Sequence, residues 1–382
     1  MGNYGKIALV DVSSDKYFSK NIAKILEIRP HDVKVASFPD SDKKLTVEQS
    51  VRGKDVFIFS NYVPPVRENF SLLIDAAYAC QQGGKARRLT ALMPYCYGSR
   101  GERATRSREA VPIIKVVREL KAAGIENVIT MGLHAEAVTT VFEVLGINVE
   151  HLPFEDLAAN YIIRTARENG YRKVALASTD YGGGRRLELL EKILYSQNKG
   201  LLGETVFGRK QRKGIAETEH KGFVGEVKGQ IVFIYDDIAD TLGSAEGLVK
   251  AAKKEGAEAA YIIFIHPILG TPEKPEKEGY RPKLERLCND SFVRQIVFGN
   301  TIPLKQGTEH EKVRVIPLEP FFAEAIRRSS RDNSMSELRE YGNIMAVYDD
   351  CKVQFDGKNL KVGRKNPSTS HRIQTFLPLT SQ

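Results

Sequence analysis

Apolar, β-branched runs alternate with helical patterns along most of the chain, and this alternation constrains the fold more than any other feature. Strands are predicted at Lys6 to Val10, Val56 to Ser60, Leu89 to Met93 and Val128 to Met131. Further strands follow at Val174 to Ser178, Ile231 to Tyr235, Tyr261 to Ile265 and Gln295 to Phe298. Helical spacing lies between them, as at Asn69 to Gln81 and Ala110 to Ala123. Strand–helix alternation of this kind makes parallel sheets covered by helices. The stretches 122–134 (AAGIENVITMGLH) and 254–266 (KEGAEAAYIIFIH) echo each other as helix end, Gly, strand and terminal His. A duplicated α/β domain is expected, divided near residues 150–165.

The most informative strand is the one ending at Tyr235. Two acids, Asp236 and Asp237, follow it at once. A short loop, Asp240, Thr241, Leu242, Gly243 and Ser244, then opens a helical pattern from Ala245 to Lys254 that Gly256 closes. Loop amides and a helix N-terminus attract phosphate, and paired carboxylates accept sugar hydroxyls or help to hold Mg²⁺. The arrangement points to a phosphorylated sugar. Ordinary turn and cap chemistry uses the same residue types.

Composition narrows the function classes. The 382 residues suffice for two domains, and 42% hydrophobic with 27% charged residues are globular values. The N-terminus carries no secretory pattern, and no apolar run reaches the roughly 18 residues that span a bilayer. Cys80, Cys96, Cys288 and Cys351 are scattered, so neither zinc nor a disulfide framework is expected, and a cytoplasmic setting is. The net charge of +9 does not imply nucleic acid. Its arginines and lysines sit in clusters at 100–108 and 209–213, without interleaved stacking aromatics and with no Trp anywhere.

Those clusters are candidates for phosphate chemistry. No Walker-type loop is present. The segment from Gly208 to Gly214 is basic, flanked by glycine and poor in apolar anchors, and a mobile loop is expected there. Such a loop either closes cations over a reacting phosphate or is simply a solvated basic turn. Thr179 to Arg186 is a Gly-rich turn after a strand, with Asp180 at the strand end. His134 ends another strand, where a lone histidine is more often a satisfied structural residue than a ligand.

Taken together, these segments resemble the ribose-phosphate pyrophosphokinase (phosphoribosyl pyrophosphate synthetase) family from about Phe38 to about Glu340. The resemblance implies two tandem type I phosphoribosyltransferase-like α/β domains: residues 1–155 with the nucleotide loops, and 156–318 with the sugar-phosphate and catalytic loops. A terminal helix at 319–340 would pack on the first domain. It implies transfer of the diphosphoryl group of ATP to the 1-hydroxyl of ribose 5-phosphate, with Mg²⁺. Lys210 and Arg212 stand at the family's spacing from Val224-Gly225 and take the catalytic positions, Arg212 also contacting ribose 5-phosphate. Asp236, Asp237 and residues 240–244 form the sugar-phosphate loop, and His134 and Asp180 fall at the metal site. Phe38, Asp40, Ser41 and Asp42 match one ATP loop, and Arg100, Gly101, Glu102 and Arg103 the other. Active sites at subunit contacts, in assemblies from dimer to hexamer, are also implied.

Several positions depart from the family pattern. Gly132 replaces an Asp, Gly101 a Gln, Ser41 a Gly, Asp42 a Glu, Glu102 an Asp and Thr179 a Pro. Both nucleotide loops are altered, whereas the sugar-phosphate loop and catalytic cations match. A non-catalytic regulatory homologue, an ordinary phosphoribosyltransferase and an enzyme using a different nucleotide are the alternatives. Residues 341–382 lie outside the resemblance. Ile344 to Tyr348 and Lys352 to Phe355 read as short β pieces around a turn at Asp356-Gly357.

Overall fold

The computed structural model describes residues 6–179, 183–212, 218–272, 278–350, 353–355 and 360–362. The first half contains β1 (Ile7–Asp11), α1 (Tyr17–Leu26), a hairpin of β2 (Val33–Ser37) and β3 (Lys43–Val47), then β4 (Asp55–Phe59) and α2 (Val66–Tyr78). It continues with β5 (Arg88–Leu92), α3 (Pro112–Ala122), β6 (Asn127–Met131), α4 (Ala137–Val144), β7 (Asn148–Leu152) and α5 (Glu155–Asn169). The second half begins with β8 (Val174–Ser178), α6 (Gly184–Gln197), β9 (Leu202–Arg212), β10 (Thr218–Val224), β11 (Ile231–Ile238) and α7 (Gly243–Lys254). It ends with β12 (Ala259–His266), α8 (Tyr280–Asn289), β13 (Val293–Gly299), β14 (Val313–Ile316) and α9 (Glu319–Ser330). Beyond these come α10 (Met335–Leu338), α11 (Tyr341–Asp350) and a hairpin of β15 (Val353–Phe355) and β16 (Leu360–Val362).

Two parallel sheets result, in the orders β1-β4-β5-β6-β7 and β10-β9-β8-β11-β12-β13-β14, with only β10 antiparallel to its neighbour. The strands are near-continuous apolar runs because helices cover both faces of each sheet. Five successive strands, β8-β11-β12-β13-β14, repeat the order of the whole first sheet. In that correspondence β12 matches β5, while β6 matches β13. The sequence echo between the stretches containing β6 and β12 is therefore a shared strand-and-helix pattern, not a positional equivalence.

A single apolar layer joins the two sheets. It takes Phe18 and Ile22 from α1, Phe59 from β4, Leu157 and Ile162 from α5, Leu190 from α6, Tyr235 from β11, and Phe321 and Phe322 from α9. Phe18 stacks on Phe59 at 5.3 Å and meets Phe322 edge-on at 5.6 Å, so α9, at the end of the second half, packs against α1 of the first. Glu319, fully buried at the start of α9, is satisfied by amide donors from Asn21 at 3.1 Å and Asn300 at 2.9 Å. A buried carboxyl requires such partners.

The segment Ile344 to Tyr348, expected as a β piece, is helical and lies within α11. Ile344 is buried and Val347 and Tyr348 pack with it against the shared core, the i, i+3, i+4 spacing of a helix face. Five apolar-rich residues do not separate that period from strand alternation. Lys352 lies outside the described residues, and Val353 to Phe355 is a strand as expected. The expected loop at 208–214 is strand through Arg212, which pairs with Thr218 of β10, while Lys210 pairs with His220. Residues 213–217 lie outside the described residues. Among the described residues no helix is long and apolar enough to cross a membrane.

Candidate active site at the carboxyl ends of two sheets

β11 lies between β8 and β12, and its residues from Ile231 to Tyr235 are buried. The strand continues past the apolar run to Ile238, carrying both acids: Asp236 pairs in register with Phe264 and Ile238 with His266. Asp236 and Asp237 thus stand at the carboxyl end of a parallel sheet, where ligands bind in folds of this class. Residues 240–244 then turn into α7. Leu242 takes a left-handed conformation with its side chain buried, and no side chain caps the helix. Among the described residues no side chain takes up the first-turn amides of α7, which leaves them to another acceptor, as an anion site requires.

A cavity of about 1630 Å³ opens above this edge, between the halves. Arg100, Glu102 and His134 line it from the first half, and Arg186, Asp236, Asp237, Asp240 and Ser244 from the second. His134 Nδ1 donates to Asp237 Oδ2 at 2.6 Å, joining the loop after β6 to the end of β11. Arg186, in the first turn of α6, sets its Nη2 3.2 Å from Asp237 Oδ1 and 3.8 Å from Asp236 Oδ1. Its Nη1 donates to the His134 carbonyl at 3.1 Å. Thr179 donates its hydroxyl to Asp236 Oδ2, a bond that proline, the family residue there, cannot make. Arg100 pairs with Asp240 at 2.9 Å, so a residue expected on ATP meets one expected on the sugar phosphate.

The two acids differ electrostatically. Burial, then the adjoining charge of Asp237, push Asp236 up to about 7. Burial would also raise Asp237, but the hydrogen bond from His134 and the charge of Arg186 outweigh it and hold Asp237 below the usual carboxylate range. The same bond raises His134 above its ordinary value against the effect of burial. Beneath the pair, the Tyr235 hydroxyl donates to the buried Glu155 carboxyl at 3.0 Å, and burial pushes Glu155 up.

Two neutral histidines, His266 buried and His151 half-buried, hold the 132–134 segment. His266 Nε2–H donates to the Gly132 carbonyl at 2.9 Å, which leaves its Nδ1 to accept from Thr301 at 2.8 Å. The Leu133 amide donates to His151 Nε2 at 3.0 Å. Burial depresses both imidazoles to about 4. Gly132 has φ +56°, and a Cβ there would lie 2.6 Å from His266 Nε2 and 2.8 Å from Ile265 Cγ2. The exchange of the family Asp for Gly is thus built into the packing. Gly101 behaves alike: a Cβ there would fall 2.6 Å from Pro112 Cδ, so the family Gln does not fit this backbone.

The remaining expected site residues are dispersed. Phe38 to Asp42 form the turn of the β2–β3 hairpin, with Phe38 exposed and Ser41 at φ +73° where the family has Gly. The Phe38 amide donates to the Asp42 carbonyl at 2.8 Å and the Asp42 amide to Asp40 Oδ1 at 3.1 Å. None of these residues lines the cavity. Arg103 is exposed beside Glu102 at 3.5 Å and also lies off the lining. Asp180 lies outside the described residues, although its neighbour Thr179 touches Asp236. For Lys210 and Arg212 only the backbone, on β9, is described. Sequence reasoning did not single out Arg186 or His151. Arg186 stands at the closing Arg of the family's S-P-D-x-G-G-x-x-R motif, which residues 178–186 resemble, but the sequence assigns it no role.

Oxygen donors with a single imidazole suit Mg²⁺, which binds through one or two carboxylates and completes its shell with water and phosphate oxygens. His134 fits as well: its Nδ1 is engaged by a carboxylate, leaving Nε2 for a ligand, the arrangement that orients metal-binding histidines.

Comparison with known proteins identifies the family. Residues 7–124 match the family model described as the N-terminal domain of ribose phosphate pyrophosphokinase, and 215–340 match the phosphoribosyl synthetase-associated domain. The ribose-phosphate pyrophosphokinase of Campylobacter jejuni is 29% identical over 326 residues, 85% of this chain and 96% of the relative. That of Bacillus caldolyticus is 28% identical over 333 residues, 87% and 98% respectively. The crystal structure of phosphoribosylpyrophosphate synthetase from Mycobacterium smegmatis superposes with a TM-score of 0.72 at 23% identity, covering 86% of this chain and all of that one, which shows the shared fold. The chain belongs to the ribose-phosphate pyrophosphokinase family of enzymes.

Proposed function

We propose that the chain transfers the diphosphoryl group of ATP to the 1-hydroxyl of ribose 5-phosphate, giving phosphoribosyl pyrophosphate and AMP. The observation that carries this reading is the uncapped start of α7, one short loop after the Asp236–Asp237 pair, facing a cavity that both halves line. The 5-phosphate accepts from the amides and hydroxyls of residues 240–244, and the acids accept from ribose hydroxyls. The sugar is thereby fixed so that its 1-oxygen attacks the β-phosphorus. That O–P bond forms as the bond from the β-phosphorus to the α,β-bridging oxygen breaks. AMP departs, and the hydroxyl proton is released to water. His134 and Asp180 would hold Mg²⁺, which when bound would neutralise phosphate charge. Lys210 and Arg212 supply cations at the transferring group, and positioning with electrostatics provides most of the acceleration.

Phe38 to Asp42 and Arg103 lie off the cavity of their own chain, which suits a homo-oligomer in which the hairpin turn serves a neighbouring subunit's nucleotide site. The altered nucleotide loops, with Ser41 and the tightly packed Gly101, favour one second reading: the same transfer from a different nucleotide. The deciding experiment measures AMP and phosphoribosyl pyrophosphate from Mg-ATP and ribose 5-phosphate, with Lys210→Ala as control and a nucleotide panel alongside. Both products from wild type, lost by orders of magnitude in Lys210→Ala, support the reading. Folded protein that binds ribose 5-phosphate but is inert with every nucleotide would make it a regulatory homologue.

A further inference from the structure

Arg186 occupies an electrostatically unusual place. It lies in the first turn of α6, where the helix dipole disfavours a cation, and its side chain is only 17% exposed. Three acceptors compensate: Asp237, Asp236 and the carbonyl of His134. The planar guanidinium fork spans all three, which a lysine ammonium cannot do. The other cavity arginines and lysine are engaged elsewhere, Arg100 with Asp240, Arg185 with Glu136 and Lys192 with Glu188. Among the described residues, Arg186 is the one guanidinium paired with the acids of β11.

We propose that Arg186 is the positioning residue for the sugar-binding acids. It orients Asp236 and Asp237 toward the cavity and ties them to the 132–134 segment of the other half, so that ribose 5-phosphate binding depends on it more than nucleotide binding does. The asymmetry follows from the anchors. The 132–134 segment keeps two further holds, His151 on Leu133 and His266 on Gly132, when Arg186 is removed. Among the described residues, Asp236 keeps the Thr179 hydroxyl and the Asp237 amide, Asp237 keeps His134, and beyond these the two acids have only each other. The inference rests on the proposed function, since it concerns the sugar of that reaction.

The test compares wild type, Arg186→Lys and Arg186→Gln by steady-state kinetics in each substrate, calorimetric titration with ribose 5-phosphate, and thermal melting. Arg186→Gln is expected to raise the ribose 5-phosphate KM at least about tenfold and the ATP KM no more than about threefold, with Arg186→Lys between. Equal rises in both KM values, or a lower melting temperature with both KM values unchanged, would overturn the inference. Should Arg186→Gln fail to fold, the lysine variant, which keeps the charge, decides by the same KM split. If wild type neither binds ribose 5-phosphate nor turns over, the proposed function falls and the inference with it. If wild type does both and the variants keep their KM, the inference alone falls.

Discussion

Asp237 accepts a 2.6 Å hydrogen bond from His134 across a sequence separation of 103 residues. The bond closes the cavity floor, because each residue stands where a strand of a different sheet meets the site. It also fixes the imidazole: with Nδ1–H committed to the carboxylate, Nε2 is the nitrogen left to a metal or a phosphate-bound water.

Asp237→Asn tests this orientation. The amide presents a donor to Nδ1 and favours the opposite tautomer, in which Nε2 carries the proton and cannot ligate. Loss of such an orienting partner typically costs about 10–100-fold in metal affinity or activity. Turnover is expected to fall on that scale, with more Mg²⁺ needed for half-maximal rate. A variant with wild-type Mg²⁺ dependence would show that the bond does not orient a ligand.

Installing the family aspartate by Gly132→Asp is expected to damage the protein. The backbone is left-handed there, which costs an L-residue about 1–2 kcal/mol, and the Cβ would press on His266 and Ile265. With overpacking the total should reach about 2–4 kcal/mol, read from chemical denaturation. A Gly132→Asp protein as stable as wild type and more active would refute this account of the departure.

How far the site could be read in advance depended on which physical signal each residue left. β11 was visible because five consecutive apolar residues end abruptly in two acids, and residues 240–244 because hydroxyls and Gly precede a helical period. His134 was visible from its strand end together with the Gly132–Ala135 stretch that resembles the family pattern. Arg186 was visible as the closing arginine of the resembled motif, but its contact with the acids was not, since only the fold shows that it meets Asp236 and Asp237 while Arg185 turns to Glu136. His151 lies on a short, half-exposed strand, and β2 and β3 are too polar to announce a hairpin. The positional match of β12 to β5, not β6, depends on sheet order, which no local pattern carries.

Phe322 links the halves through Phe18. Truncating it to alanine leaves a cavity between α1 and α9, and aromatic-to-alanine changes in cores cost about 3–5 kcal/mol. Phe322→Ala should lower the denaturant midpoint accordingly and reduce the protection of α1 amides in hydrogen exchange. Unchanged protection of α1 would mean that the two helices do not support each other.

His266 supplies a pH test with a definite sign. Its folded pKa, about 4, lies below the ordinary 6.5. The unfolded chain therefore binds a proton that the folded one rejects, and this imidazole's contribution is complete above pH 6.5 and erodes as pH falls toward 4. The raised acids Asp156 and Asp236, both near 7, act oppositely, because the folded state takes up their protons first, so the overall slope is not diagnostic. The difference between wild type and His266→Gln is diagnostic, since glutamine keeps a donor for the Gly132 carbonyl without titrating. Between pH 7.5 and 5, wild type should lose about 2 kcal/mol relative to the variant, measured by denaturation at each pH. Parallel curves would show that His266 is not held neutral, and the account of how the 132–134 segment is anchored would have to be abandoned.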